Sequence, residues 1–581
     1  LSTPPPHRFY YLHNFQRALD WLGQRYGDLL SVQELQFMTR FAQLPQASQA
    51  LLVRMIMRRG PWFRADKLVY EEIPALADAA QPLRQEGWID DAQPMTAAEL
   101  FGLHTKPELL QILRDFPSSL VTSSGTSPAI SFTISPSLRK SEMLALVQSA
   151  QQGDRAYAQW HPQAAEPVWR LMVGELCERF RLMFFGNLYQ DWSEFVLADL
   201  GVFRYESVAF DAGSRAFQQR CDVDVYLALS ACRQALDEGA DVAALNESLA
   251  QYQSANPWLE KRRAKLLMQL GQACERAQNW TLAQSLYARC NYPGARHRRI
   301  RVLERLEQFN QALALAELAQ SAPESEEEAQ RIARMLPRLR RSTGAGAAQE
   351  KRRRAAALAP AVAGLCSDVT LALPAEPMAV EYALRDHWQS GQAPVFYVEN
   401  ALINSLFGLL CWPAIFAPLP GAFFHPFQSG PADLSAPDFV PRRQALFDAC
   451  LQALADGSYR RVIAQRFAEK QGLQSPFVFW GTLSEELLAL ALDCIPAAHL
   501  QLFFARLLQD VKGNRTGFPD LVRFWPAREQ ERPRYELVEV KGPGDKLQDN
   551  QIRWLAYCTD HGLPVSVCHV QWSDGLPAEG A

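Results

Sequence analysis

Two carboxylates and an amine with suggestive spacing lie near the C-terminus. In GFPDLVRFWPAREQERPRYELVEVKGPGDKLQDNQIRWLAYC, residues 517–558, Asp520 leads one short run of β-branched and aromatic residues, and Glu539 and Lys541 close a second. The runs LVRFW and YELVEVK, parted by the polar stretch PAREQERPR, predict an antiparallel strand pair. Side chains two apart on a strand share a face, so Glu539 and Lys541 project together while Val538 and Val540 turn into the core. Hard carboxylate oxygens suit Mg2+ or Mn2+. Such an ion stabilises the charge developing on an attacked phosphodiester and activates water, and a lysine positions or deprotonates that water. Glu and Lys at this spacing on an exposed strand often do nothing; G-x-P-D ahead of the hairpin is what makes the pattern specific. The chemistry indicated is metal-dependent phosphodiester cleavage at Asp520, Glu539 and Lys541.

A third carboxylate stands upstream in YVENALINSLFGLLCW, residues 397–412. Read as a helix, this segment puts Glu399 in line with Leu402, Ile403, Leu406 and Leu410, on the stripe that faces the core. Burying an unpaired carboxylate costs on the order of several kcal/mol, so the group is expected to be protonated, paired or metal-bound. Metal ligation leads. A helix-start glutamate favoured by the dipole, or an ion pair with Lys541, are the alternatives. After Lys541, GPGD reads as a tight turn and QDNQIRWLAYC as a helix with Leu547, Gln551, Trp554 and Cys558 on one face. Gln551 would then point at the attacking water or a phosphate, or be a buried amide bonded to backbone.

The elements that must position these groups come late in the chain. Residues 377–575 alternate helices with strands, the first sign of a sheet; everything before reads as mainly helical. From Phe9 to about Phe116, apolar residues recur at three and four, with Trp21, Leu22, Leu29 and Leu30 on buried stripes. Thr96 and Glu99 form a capping-box pattern, and Thr105-Lys106-Pro107-Glu108 opens a second short helix. The Ser-, Thr- and Pro-rich stretch at 118–150 reads as a linker. Between 155 and 345 one repeat is visible: NWTLAQSLYARCNYP at 279–293 aligns with QFNQALALAELAQSAP at 308–323, pairing Trp280 with Phe309, Ala283 with Ala312, Leu286 with Leu315 and Cys290 with Ala319. That offset of 29 is shorter than the tetratricopeptide period of about 34, but it predicts stacked helix pairs. RRSTGAGAAQEKRRRAAALAP at 340–360, with its basic run Lys351 to Arg354, reads as a charged linker.

Composition narrows the class without choosing the partner. At 581 residues, 48% hydrophobic and 21% charged, the chain fits several globular units. Its 11 cysteines contain no CxxC pair, which excludes a readable zinc knuckle. A net charge of −4 means that DNA binding must come from local basic patches. No run of about 18 apolar residues occurs, and LSTPPPHRFYYLHNF lacks the order of a secretory signal, so an intracellular protein without membrane contact is expected.

With these motifs assembled, the chain resembles the Fanconi-associated nucleases, whose C-terminal module is the virus-type replication-repair nuclease domain of the PD-(D/E)xK superfamily. VRMIMRRGPWFRADKLVYEEI, the helix pairs, ENALINSLFGLLCW, GFPDLV and VEVKGPGDKL occur in the matching order. The resemblance implies a multidomain fold: an N-terminal helical domain at 1–65, a SAP-like DNA-binding region at 66–117, a linker at 118–154, a tetratricopeptide-like region at 155–345, a linker at 346–376 and an α/β PD-(D/E)xK nuclease domain at 377–575. It implies Mg2+ or Mn2+ held by Glu399, Asp520, Glu539 and the Val540 carbonyl, with Lys541 catalytic. It further implies 5′-flap endonuclease and 5′-to-3′ exonuclease action near branched-DNA junctions, in DNA repair and interstrand-crosslink repair.

Asn550 stands where the resemblance leads one to look for a base in the terminal-phosphate pocket; Lys512, Arg515, Lys546 and Arg553 are candidate DNA contacts nearby. High Arg, Ala, Leu and Pro usage leans bacterial, hence cytoplasmic or nucleoid-associated, or nuclear for a eukaryotic source. A monomer is expected, with the helix pairs open to a protein partner. A four-way-junction-resolving enzyme and a non-catalytic DNA-binding scaffold are the competing functions.

Overall fold

The computed structural model describes residues 8–573 apart from 59, 115–134, 136, 151–152, 200, 211–213, 345–363, 373, 375–376 and 530–531. It divides into two units, Leu1–Val202 and Phe203–Ala581.

The first unit opens with helices Tyr10–Tyr26, Val32–Gln43 and Gln46–Ile56, and Leu22 and Leu51 are fully buried in it. The expected capping box forms: Thr96 accepts from the Glu99 amide and Glu99 reaches back to the Thr96 amide, starting helix Ala97–Leu103. Two expectations fail here. Strands Trp62–Arg64, Val168–Leu171 and Ile89–Asp90 form a small antiparallel sheet with Val168–Leu171 in the middle, so a sheet appears well before residue 377. Strands of two to four residues are too short to show a period, and Trp62 pairs with Arg170, far along the chain. The supposed linker at 118–154 carries helix Lys140–Ala150, whose Met143 and Val147 share a core with Trp62, Leu100, Phe101, Ile112 and Trp160. Most of the Ser- and Thr-rich stretch before it lies outside the described residues.

In the second unit the repeat is present as α1 (Pro257–Arg276), α2 (Trp280–Ala288), α3 (Ala295–Arg305), α4 (Phe309–Ser321) and α5 (Glu326–Ser342), each packed on the next. Ala283 and Ala312 are both fully buried. The turns repeat too: Gln278 and Glu307, again 29 apart, both take a left-handed φ of 58° before α2 and α4. Small residues set the spacing, since a Cβ at Gly271 would meet the Tyr287 ring at 2.5 Å. Lys351 to Arg354 fall outside the described residues.

Beyond them lies a five-stranded sheet of β1 (Cys366–Ala372), β2 (Val395–Tyr397), β3 (Leu521–Phe524), β4 (Tyr535–Lys541) and β5 (Val565–Ser573), in spatial order β1-β5-β4-β3-β2. β5 runs parallel to β4 and β1, whereas β3 pairs antiparallel with β4 and β2. The predicted hairpin is therefore present, with Leu521 opposite Val538. The expected linker at 346–376 supplies the edge strand β1 instead. One face of the sheet, with Val538 and Val540, is covered by α6 (Val380–Trp388) through Leu384. The other receives α7 (Leu402–Leu410), several helices inserted between β2 and β3, and α8 (Asp549–Asp560), through Phe407, Phe503, Phe518 and Trp554. Among the described residues no single helix is long and apolar enough to cross a membrane.

Candidate metal-dependent active site

The hairpin brings Asp520 and Glu539 together, because the register that sets Leu521 opposite Val538 puts Asp520 opposite Glu539 at the end of the ladder. Asp520 is 6% exposed, and its Oδ2 accepts the Val540 amide at 2.9 Å, which fixes the carboxylate over the sheet. Glu539 is fully buried. Lys541 Nζ forms an ion pair with its Oε1 at 2.7 Å, and among the described residues no other donor reaches either Glu539 oxygen. Val538 and Val540 do pack into the opposite face, as the alternation requires.

Such a pair is electrostatically expensive. Burial pushes the Glu539 carboxyl well above the usual range, the Asp520 charge adds to the push, and Lys541 opposes it. Asp520 is raised by burial first and then by the charges of Glu381 and Glu399, against the Val540 amide and Lys541. A hard divalent cation fits this donor set, since it would satisfy the Glu539 oxygen that Lys541 does not reach and cancel the repulsion between neighbouring carboxylates. Among the described residues no three His, Cys, Asp or Glu side chains form a ready-made metal shell.

Glu399 accounts for that and corrects the helical reading. It sits in an exposed turn after β2, and α7 begins only at Leu402. The apolar run from Leu402 is helical as read, but Asn400 takes a left-handed φ of 54°, which ends any helical register before it. Glu399 therefore carries no core burial cost. Its Oε2 accepts the Tyr397 hydroxyl at 2.5 Å and its Oε1 the Asn400 amide at 3.2 Å, while its charge still acts on Asp520 and Glu539.

Asn400 went unread in the sequence, yet it ties the site together. Its Oδ1 accepts the Gly517 and Phe518 amides at 2.8 and 3.1 Å, and Val398 donates to the Asp520 carbonyl at 2.8 Å. The Glu399 turn is thus clamped to the GFPD segment. Gly517, at φ 93°, is needed there because a Cβ would lie 2.8 Å from the Asn550 backbone at the head of α8. Asn directly after Glu399 was the available signal, since Asn is among the few residues that enter left-handed turns readily. Glu381, in the first turn of α6, was also missed; it adds to the negative field at Asp520.

The remaining candidates divide. The Gln551 side-chain oxygen caps its own helix by accepting the Gln548 backbone amide at 2.8 Å, which occupies that oxygen. Arg515 turns inward, over the Phe477 ring at 4.7 Å and onto the Pro476 carbonyl, and burial pushes its pKa down; a phosphate contact would have to break that packing. Arg553 donates to Gln330 of α5 at 2.7 Å. Lys512 and Lys546 are exposed, Lys512 lying 5.8 Å from the Tyr292 ring.

Comparison with known proteins bears on the whole chain. Residues 9–90 match the FAN1 HTH domain model, residues 94–160 the Fanconi anemia-associated nuclease SAP domain and residues 454–572 the VRR-NUC domain. A Fanconi-associated nuclease 1 homolog of Pseudomonas aeruginosa is 53% identical over 571 residues, covering 98% of this chain and 97% of that protein. One from Oryza sativa is 25% identical over 619 residues, 96% of this chain and 62% of its own. The crystal structure of paFAN1 bound to 5′-flap DNA with a 2-nucleotide flap and a gap superposes with a TM-score of 0.89 at 53% identity, over 98% of this chain and 100% of that one.

Proposed function

Since the chain belongs to the Fanconi-associated nuclease family, as one of its bacterial members and a metal-dependent nuclease, we propose that it incises branched DNA near junctions with a preference for 5′ flaps, degrades DNA 5′ to 3′, and serves interstrand-crosslink repair at the nucleoid as a monomer. The observation that carries this reading is Glu539: a fully buried carboxylate that, among the described residues, meets no donor but the Lys541 ammonium and stands beside Asp520. The relatives crystallised with 5′-flap DNA support the substrate.

In this reading Asp520, Glu539, the Val540 carbonyl and Glu399 would hold Mg2+ or Mn2+, Glu399 exchanging its contact with the Tyr397 hydroxyl for the ion. When bound, the ion supplies a Lewis acid that offsets charge on the attacked phosphate and eases deprotonation of water. The Val540 amide keeps Asp520 oriented, and Lys541, 10% exposed, holds the nucleophile by its ammonium or, once it has given up its proton as the neutral amine, takes the nucleophile's. Asn400 keeps the Glu399 turn in register with Asp520. Exposed cations such as Lys512 and Lys546 contact phosphates, so binding weakens with salt.

Cleavage mapping with Mn2+ on end-labelled 5′-flap, 3′-flap and four-way-junction DNA tests the substrate. Dominant incision close to the 5′-flap junction is expected; symmetric cuts in the four-way junction with the flaps spared would transfer the protein to junction resolution.

A further inference from the structure

Helices α1, α2 and α3 enclose a groove of about 540 Å3 whose walls include Arg276, Trp280, Arg298, Arg301 and Arg305. Four guanidinium groups face one carboxylate, Glu275, and that one is taken: it accepts from Arg298 at 3.0 Å and from the Tyr287 hydroxyl. Elsewhere on the repeat several arginines are matched to acids, Arg296 to Glu328, Arg331 to Glu327 and Arg338 to Glu304. Arg276, Arg301 and Arg305 are exposed, and none has a carboxylate partner among the described residues. The positive field also acts on His297 of α3, held down at about 4 by burial first and then by Arg331, Arg301 and Arg298.

The groove leads towards the nuclease centre. A second cavity of about 1090 Å3 shares Gln272 and Arg298 with it and extends to Lys512, Thr516 and Asn550. Thr516 precedes Gly517, which Asn400 clamps beside Glu399. Within the groove, the Arg305 guanidinium lies 6.0 Å from the Trp280 ring, so a flat apolar surface sits among unmatched cations. Cations that track a backbone, interleaved with an aromatic on which bases stack, are what a single strand of nucleic acid requires; a folded duplex cannot offer its base faces to Trp280.

We propose that the α1–α3 groove is a single-stranded DNA site that takes the displaced strand of a branched substrate beyond the nuclease module. This rests on the flap reading above. Flaps of one or two nucleotides end before reaching the arginines, and longer flaps lie across them, so the groove favours long flaps over short ones.

The test uses the full chain carrying Arg276→Ala, Arg301→Ala and Arg305→Ala; Arg298 is kept because it holds Glu275. Anisotropy without divalent metal, on a labelled oligothymidine of about 20 nucleotides, is expected to show binding at least about tenfold weaker than wild type, with a salt slope shallower by about 2. In Mn2+, KM for a long 5′ flap should rise at least about fivefold relative to KM for a single-nucleotide flap. The matching triple lysine variant should recover most of the loss, which separates lost charge from a damaged fold. Unchanged oligothymidine binding in a folded triple-alanine variant overturns the inference, as does an equal rise in KM for short and long flaps. Loss of binding to an acidic peptide alone would instead mark a protein-binding groove and also overturn it. Should wild type bind oligothymidine through these arginines yet cut no flap, the single-strand site stands and the substrate reading falls.

Discussion

Glu328 at the head of α5 and Glu539 on β4 are both glutamates almost without solvent exposure, 4% and 0%. Glu328 is surrounded by donors: Arg296 offers Nε at 2.8 Å and a second nitrogen to the other oxygen, and the Glu324 amide adds 2.7 Å. Glu539 has one ammonium, Lys541 at 2.7 Å, and a second carboxylate beside it. The repeat has built in its countercharge, and that glutamate is structural. On the sheet one ammonium faces two buried carboxylates, so negative charge is left over, which is the arrangement a divalent cation would balance. Burial alone does not mark a functional carboxylate; burial without satisfied oxygens does.

The strongest way to break this comparison is to neutralise the sheet's own carboxylates. Asp520→Ala should lower cleavage at least about a thousandfold, about 4 kcal/mol of transition-state stabilisation. DNA affinity should stay within a few-fold, since phosphate contacts are made elsewhere; substantial Mg2+-dependent cleavage by this variant would remove Asp520 from the centre. Glu328→Gln should do the opposite, costing about 2 kcal/mol in urea unfolding because the partly buried Arg296 keeps only the longer pair to Glu324 and the Ala322 carbonyl, with cleavage retained. Wild-type stability in that variant would show the two glutamates to be less different than their partners suggest.

A smaller effect is expected from Asn400→Ala, which cuts the link between the Glu399 turn and GFPD and removes one hydrogen bond to Glu399 while leaving every ionisable group in place. Its kcat should fall about tenfold while the melting temperature moves only a few degrees. An unaltered kcat would mean that Asp520 and Glu399 need no common clamp.

The smallest effect is in pH. Folding raises the pKa of Asp520 and Glu539, so relative to the unfolded chain these groups cost stability above their raised values, progressively less as pH falls through them, and nothing below the ordinary carboxylate range. The stability advantage of metal-free Glu539→Gln over wild type should therefore be largest in mild base and shrink as pH falls through neutral to the ordinary carboxylate range. Metal affinity runs the other way, weakening with acid as protons compete for the same oxygens. A constant difference between the two melting curves across that range would argue against a raised Glu539.

Much of this was written locally in the chain. The hairpin was legible because alternation in LVRFW and YELVEVK is a short-range signal, and α2 and α4 were legible because Trp280 and Phe309 head the same pattern. What escaped depends on distant partners or on one backbone angle. Nothing near Cys366 says that it pairs with Val567, or that Trp62 pairs with Arg170. Glu399 was misplaced onto a helix because ENALINSLFGLL keeps helical spacing through a turn that a single left-handed Asn interrupts. Gln551 and Arg515 have the right types near the right place, but the exact helix start decides that one caps its own helix, and only tertiary contacts show that the other is packed against Phe477 and Pro476.

The central claim, that Glu539 and Asp520 form an incomplete site completed by a divalent cation, is tested most directly by thermal melts of wild type and Glu539→Gln with and without Mn2+. Wild type should melt higher with Mn2+, because the ion binds the folded state preferentially. Glu539→Gln should be at least as stable as wild type without metal, gain little from Mn2+ and cut no DNA. A wild type indifferent to Mn2+, or a Glu539→Gln protein that gains as much as wild type and still cleaves, would contradict the account.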